Sequence, residues 1–98
     1  MKSFRFHRKA DAEFAKAAEY YANISPDLGR RFCEAIHEII SEICVAPARY
    51  RTILPPVRRH FRPHFPYAVL YIDSPDCVWI VSVSAFKRDP NHWRERLD

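Results

Sequence analysis

The sequence contains very little glycine, and this scarcity excludes several kinds of site. Gly29 is the only glycine among the 98 residues, so a glycine-rich loop that holds phosphate groups cannot form. For the same reason, no serine lies in the glycine-flanked elbow typical of hydrolases. The three cysteines do not have the C-x-x-C spacing typical of zinc and redox sites. We therefore expect neither a cofactor nor a metal ion.

Long apolar segments are also missing. No hydrophobic run approaches the ~20 residues that a membrane-spanning helix requires, and the N-terminus has no apolar stretch of the kind that directs secretion. Cys33, Cys44 and Cys77 fall in predicted buried elements, which favours small core side chains in a reducing compartment over a disulfide framework. The hydrophobic fraction of 48% suits one folded domain spanning residues 1–98. We expect this domain to be cytoplasmic and to make no membrane contact.

Acidic residues are absent between Glu42 and Asp73. That window instead carries five arginines and two histidines, namely Arg49, Arg51, Arg58, Arg59, Arg62, His60 and His64. Arginine outnumbers lysine twelve to four in the chain, and guanidinium groups suit bidentate contacts with carboxylate or phosphate. An ordinary solvated surface is the alternative interpretation. The charge pattern favours an anionic partner, either nucleic acid or an acidic protein segment.

Two adjacent apolar segments indicate the centre of a β-sheet. Residues 65–72 (FPYAVLYI) are apolar on both faces, as expected for a strand with a neighbour on each side. Residues 77–85 form a second apolar strand after a short turn rich in Asp, Ser and Pro. Residues 3–7 alternate like a half-buried strand, and residues 57–62 form an arginine-rich strand suited to a sheet edge. The segment 48–56 is expected to be irregular.

Apolar residues at helical spacing predict two helices after the first strand. The first spans residues 8–23, and the second begins after the N-cap Ser25 and ends at residue 46, before a proline. Gly29 indicates a close approach between the two helix backbones. The buried stripe of the second helix consists of Phe32, Ile36, Ile39, Ile40 and Ile43.

The order of these elements, β-α-α-β-β-β, predicts the fold class. It indicates an α+β, two-layer domain in which a helical hairpin packs on one face of a largely antiparallel four-stranded sheet. The other face would be open to a partner and would offer aromatic residues such as Trp79 and Tyr71. Residues 87–96 form a polar tail, in which a short helix is expected to start near Asp89.

Several segments also occur, in the same order and spacing, in a known toxin family. They are residues 17–21 (AAEYY), 25–29 (SPDLG) with Arg31 and Phe32, 47–50 (PARY), 57–59 (VRR), 65–71 (FPYAVLY) and 87–90 (KRDP) with Trp93 and Arg96. The chain resembles the ParE/RelE superfamily of type II toxin–antitoxin systems, and especially its ParE-like, plasmid-stabilisation branch. The resemblance covers nearly the whole chain.

This resemblance implies a small toxin that arrests growth when it is released from its antitoxin. The family fold places the first strand beside the last, which gives the sheet order 1-4-3-2. The implied partner is a cognate acidic antitoxin, bound in an oligomeric complex. Contacts with the antitoxin or the target are assigned to Arg58, Arg59, Arg62, Lys87, Arg88, Trp93, Arg94 and Arg96.

Members of the superfamily divide by activity. RelE-like toxins cut mRNA on the ribosome, whereas ParE-like toxins poison DNA gyrase. This chain has Ala68 and Phe86 where RelE-like nucleases tend to place basic residues, and Ala85 where the ParE-like pattern often has a histidine. RNA cleavage requires a proton acceptor and cations that stabilise the phosphorane. The resemblance therefore predicts inhibition of gyrase by binding rather than enzymatic catalysis.

Two alternatives stay open. A ribosome-dependent mRNA endonuclease would depend on Arg62, His64, Arg88 and His92 as its catalytic residues. A degenerate, non-toxic module would retain only antitoxin binding. A zinc site at His60 and His64 is not expected, because the proline between them prevents the helix that would place both on one face.

Overall fold

A computed structural model describes residues 1–86 and 91–97 of the chain. The elements in chain order are β1 (Phe4–Phe6), α1 (Arg8–Ile24), α2 (Pro26–Val45), β2 (Arg51–Leu54), β3 (Val57–Phe61), β4 (Tyr67–Asp73), β5 (Val78–Ala85) and a 3₁₀ helix (Arg94–Leu97). Both helices pack on one face of a single sheet, which confirms the α+β prediction. In the part of the chain described, no helix is long and apolar enough to cross a membrane.

The sheet has five strands in the order β1-β5-β4-β3-β2, so the prediction of a four-stranded sheet was wrong. Four strands follow the expected 1-4-3-2 arrangement, with β1 parallel to β5 and the other pairs antiparallel. The additional strand, β2, has only four residues, of which Ile53 alone is partly buried. Such a short segment shows no clear alternation. Because β2 lies outside β3, the arginine-rich strand is interior and not the predicted edge.

The helical hairpin forms as its local sequence predicts. Ser25 Oγ accepts a hydrogen bond from the backbone N–H of Leu28 at 3.0 Å and so caps α2. Gly29 lies against α1, where an added Cβ would come within 2.7 Å of Ala22 Cβ, which confirms the predicted close approach. The predicted stripe of α2 is buried against the sheet and consists of Phe32, Ile36, Ile39, Ile40 and Ile43.

Aromatic rings fill one end of the space between the helices and the sheet. The ring of Phe32 lies 4.8 Å from Tyr21, 5.2 Å from Tyr67 and 5.3 Å from Phe65, measured between centroids. Cys44 is buried in the same core, where burial raises the pKa of its thiol. The other two cysteines are only partly buried, and all three are free thiols.

The sheet face directed away from the helices, called the outer face below, carries a second apolar cluster. Its members are Val57, Ala68, Leu70, Val81 and Trp93, with Ile53, Ile72 and Trp79 partly buried beside them. Trp93 belongs to the C-terminal segment, which is described for residues 91–97, and it is 2% exposed. The prediction of an open face was therefore wrong where this segment covers the sheet. Tyr71 points towards the helices instead, and its hydroxyl donates to Pro47 O at 2.5 Å. Burial raises the pKa of Tyr71 to about 12.

Candidate functional site

Two of the arginines predicted to bind a partner make contacts within the fold. Arg58 donates to Tyr50 O at 2.8 Å and to Ala48 O at 3.2 Å, and it thereby holds the segment before β2 against β3. Arg62 Nη1 lies 2.5 Å from Glu38 Oε2, and Arg62 Nη2 lies 2.7 Å from a carboxylate oxygen of Glu42. These contacts hold both guanidinium groups against the fold, although the Arg62 side chain is still 38% exposed.

Glu42 is the centre of the polar network between β3 and α2. His60 Nε2 lies 2.9 Å from Glu42 Oε1, and the His60 ring stacks on Tyr50 with centroids 3.7 Å apart. Hydrogen bonds from Arg62 and His60, together with their charges, lower the pKa of Glu42 to about 2. The side chains of Glu42 and Arg62 are still 37% and 38% exposed, so solvent screens their attraction. The network fastens a strand to a helix and is not a secluded acid–base site.

Two arginines and two phenylalanines form a basic, aromatic area on the outer face. Arg51 of β2 and Arg59 of β3 are directly opposite each other in the sheet register. The guanidinium carbon of Arg59 lies 5.6 Å from the centroid of the Phe61 ring, and the Phe61 ring lies 5.0 Å from Phe86 in an edge-to-face arrangement. Both phenylalanines are 45% exposed. These four residues are called the Arg–Phe patch below.

A small pocket of about 70 Å³ lies beside the Arg–Phe patch. Leu70 and Trp93 line it together with Arg59 of the patch. Ala68 and Phe86 also border it; the sequence resemblance aligns these two residues with positions where RelE-like nucleases tend to have cations. The pocket is therefore mainly apolar, with a single guanidinium group at its margin.

The C-terminal segment is attached to α1 and β5 by a buried ion pair. β1 pairs with β5 only as far as Ile80, and beyond this point side chains contact the β5 backbone. Arg96 donates to Val81 O at 2.9 Å and to the two carboxylate oxygens of Glu13 at 2.8 and 2.9 Å. The backbone N–H of Val83 donates to Glu13 Oε1 at 3.2 Å. The Glu13 carboxylate and the Arg96 guanidinium thus hydrogen-bond backbone groups of β5 that β1 does not reach.

Ser82 and His92 lie against the same carboxylate. Ser82 Oγ is 3.0 Å from Glu13 Oε1 and 3.1 Å from His92 Nε2, and that nitrogen is 3.8 Å from Glu13 Oε2. Burial alone would raise the pKa of Glu13, but hydrogen bonds from Arg96, Val83 and Ser82 and the charge of Arg96 lower it below the ordinary value. Ser82 is fully buried, and His92 Nε2 faces both the Ser82 hydroxyl and the Glu13 carboxylate. The Ser82 hydroxyl is therefore held within the fold and is not presented to a substrate.

Among the described residues of the proposed nuclease set, the structure separates His92 from Arg62 and His64. Arg62 and His64 border one depression beside α2, whereas His92 lies in the cluster around Glu13 on α1. Arg88 lies outside the described residues, as does the neighbouring Lys87. A catalytic role for this set stays a prediction.

The C-terminal segment differs from the polar tail expected from the sequence. Trp93 and Arg96 are 2% and 8% exposed, so they stabilise the fold and are not freely available to a partner. Arg94 is exposed, and among the described members of this predicted set it is the one that solvent reaches most easily. The predicted helix start at Asp89 lies outside the described residues, and the part described contains the 3₁₀ helix Arg94–Leu97.

The sequence interpretation missed several residues of these sites, among them Ser82, Glu13 and Arg51. Ser82 lies in a mostly apolar strand, and a polar residue on a buried surface requires a partner. Glu13 is that partner, but it lies 69 residues away in the chain, so no local periodicity reveals it. Arg51 was counted in the charge pattern but was not assigned to a site, because β2 was not predicted.

The fold and the described side chains define a small α+β domain with an arginine-bearing outer face. Its described residues contain no group of His, Cys, Asp and Glu suited to a metal ion. Over residues 4–90 the chain matches the family described as "ParE toxin of type II toxin-antitoxin system, parDE". The chain belongs to this family, so the resemblance inferred from its sequence segments is confirmed.

A solved structure has the same fold. It is described as "Chromosomal ParDE TA system from P. aeruginosa" and aligns with a TM-score of 0.75 at 18% sequence identity. The alignment covers 87% of this chain and 96% of that chain. Comparison with curated protein sequences gives no match.

Proposed function

We propose that this ParE-type toxin arrests growth by inhibiting DNA gyrase and that a cognate acidic antitoxin neutralises it in an oligomeric complex. The observation that carries the choice of target is the composition of the pocket beside the Arg–Phe patch. Ala68 and Phe86 occupy its margin, where a nuclease would need cations to stabilise the phosphorane. This apolar margin supports binding to a protein target over RNA cleavage.

A supercoiling assay with purified gyrase and relaxed plasmid tests this proposal. Toxin is expected to block supercoiling or to trap cleaved DNA. Arg94→Glu should weaken the inhibition without unfolding the protein, because Arg94 is an exposed residue of the C-terminal segment. Arg31→Glu makes the same charge change on the helical layer and serves as the matched control. If the toxin causes neither inhibition of supercoiling nor trapped cleaved DNA at any concentration, the proposal is contradicted.

Antitoxin binding is tested at Arg59 and not at Arg58. Arg58 holds two backbone carbonyls, so its reversal would disturb the fold, whereas Arg59 faces outwards beside the pocket. Arg59→Glu should weaken the complex with an acidic antitoxin segment, and the association rate should fall with added salt. Arg31→Glu is again the control. If the antitoxin segment binds Arg59→Glu, Arg31→Glu and the unaltered toxin with equal affinity, the outer face is not part of the antitoxin interface.

Ribosome-dependent mRNA cleavage is the second candidate, and one observation favours it. Arg59 and His92 border the same pocket, so a cation and an imidazole lie near one another. A translating ribosome extract is the assay, and specific cuts in mRNA would establish this activity in place of gyrase inhibition. We expect no such cuts, because His92 Nε2 is directed at Ser82 and Glu13 within the fold.

A further inference from the structure

Two like charges face each other on the outer face of the sheet. Arg51 and Arg59 are cross-strand partners, and like charges placed directly opposite are destabilising. Arg58 and Arg62 come from the same acid-free window of the sequence. Arg58 donates hydrogen bonds to backbone carbonyls, and Arg62 forms ion pairs with carboxylates of α2. Within residues 1–86 and 91–97, Arg51 and Arg59 form no ion pair with a carboxylate. An anion bound between them would remove the repulsion.

The adjoining aromatic rings indicate which kind of anion fits. Phe61 and Phe86 are each 45% exposed, and Phe61 lies two residues from Arg59 on the same strand face, about 7 Å along the strand. An acidic peptide is held through its carboxylates and requires no exposed phenyl rings. Nucleobases stack on such rings, while neighbouring guanidinium groups contact the phosphates. The exposed rings therefore favour a nucleic acid as the ligand of the whole patch, whereas an acidic antitoxin segment would contact only its arginines.

The aromatic contacts also require an unpaired strand. Stacking on a side chain needs a base whose ring face is accessible, and bases in a duplex are stacked on each other. The patch lies beside the area that Trp93 covers, with Phe86 at one end and Arg51 on the outermost strand. A single strand could run from β2 across β3 and β4 to Phe86 at the end of β5.

We propose that the Arg–Phe patch binds single-stranded nucleic acid, with bases stacked on Phe61 and Phe86 and phosphates contacting Arg51 and Arg59. This goes beyond the proposed function, because neither gyrase inhibition nor antitoxin binding requires the toxin itself to contact nucleic acid. The site binds the strand and performs no chemistry on it.

Fluorescence anisotropy with labelled oligothymidylate and oligouridylate of about 15 nucleotides, a length suited to single-strand sites, is the first measurement. Both are expected to bind more tightly than a duplex of the same length. A difference between the two probes identifies DNA or RNA as the preferred source, since the 2′-hydroxyl distinguishes them.

Matched variants separate stacking from charge. The double variant Phe61→Leu/Phe86→Leu keeps the apolar bulk but removes both rings, and it should weaken binding about tenfold or more. Phe4→Leu is the aromatic control, because Phe4 is 40% exposed on β1. Arg59→Gln should reduce the slope of log affinity against log salt by about 0.7, the value for one lost phosphate contact.

Three results would overturn the proposal. The first is equal affinity for the duplex and the single strands, and the second is unchanged binding by the double phenylalanine variant when circular dichroism shows that it is folded. The third is displacement of the oligonucleotide by polyglutamate together with unchanged binding by that variant, which would assign the patch to an acidic protein segment. No gyrase or antitoxin is present in these measurements, so failure here and failure of the proposed function are distinguishable.

Discussion

Replacing Glu13 by glutamine should weaken the attachment of the C-terminal segment to the body of the fold. The side chains of Arg96 and Glu13 are only 5% and 12% exposed, so the substitution leaves a buried guanidinium without its carboxylate. Removing one partner of a buried ion pair typically costs ~3–5 kcal/mol. Arg96 keeps its hydrogen bond to Val81 O, and the amide oxygen of the new side chain can still accept from Val83. We therefore expect a loss near the lower limit, ~3 kcal/mol.

Denaturant unfolding followed by circular dichroism measures this loss. Tryptophan fluorescence reports the local effect, because Trp93 is buried by the same segment and its emission should shift to longer wavelength in the variant. The double variant Glu13→Gln/Arg96→Met removes both charges and should regain much of the stability, since an apolar replacement of a buried pair is often nearly neutral. A loss below ~1 kcal/mol for Glu13→Gln, the level of a solvent-exposed pair, would refute the argument from burial.

The same contact makes stability depend on pH. The pKa of Glu13 is lowered from its ordinary value of 4.5 in the folded state, so the unfolded chain binds its proton more readily. The stabilisation is therefore fully present above pH 4.5 and is lost as the pH falls through the lowered folded pKa. The glutamine variant lacks this carboxyl group, and its unfolding free energy should decline less steeply in this range. Equal acid sensitivity in both proteins would contradict this assignment.

Three further changes have definite expected results. Gly29→Ala should lower the melting temperature despite a gain of ~1 kcal/mol in helix propensity, because the new methyl group would lie 2.7 Å from Ala22 Cβ and 2.8 Å from Ala22 Cα. Adding Ala22→Gly should not restore it, since the backbone atom stays in place. Ile40→Ala should cost ~2–5 kcal/mol in a thermal melt, and a shift of only a degree or two would place Ile40 outside the core. An NMR titration should give Glu42 a pKa of about 2 that returns towards 4.5 in Arg62→Gln; the associated stability is lost as the pH falls from 4.5 to 2 and is small, because solvent screens the pair.

The sequence predicted the features of the fold that depend on neighbours in the chain. The cap at Ser25 and the apolar stripe of α2 depend on residues within a few turns of one another. Gly29 was interpretable because a glycine in an early helical turn lowers the stability of the helix relative to alanine. Its presence there indicates that another backbone lies too close to leave room for a side chain. Residues 65–72 are apolar on both faces, which predicted a central strand, and β4 is indeed central in the sheet.

The missed features depend on contacts between distant parts of the chain. β2 contributes one partly buried apolar residue, Ile53, on the outer face, and becomes a strand only because β3 pairs with it. Arg96 resembles a solvated arginine of a polar tail until Glu13, 83 residues earlier, is placed beside it. The Arg–Phe patch likewise requires the register between β2 and β3, which composition and periodicity do not supply.

The short pairing between β1 and β5 has a consequence for shortened forms of this chain. β1 covers β5 only to Ile80, and the C-terminal Arg96, with Glu13, occupies the next polar groups of the strand. A chain that ended at Phe86 would lose Arg96 and Trp93 together, which would uncover both a strand edge and an apolar surface. Such an edge is a template for pairing with a second molecule. Truncated or proteolysed forms should therefore self-associate, even though their helical hairpin and central strands are intact.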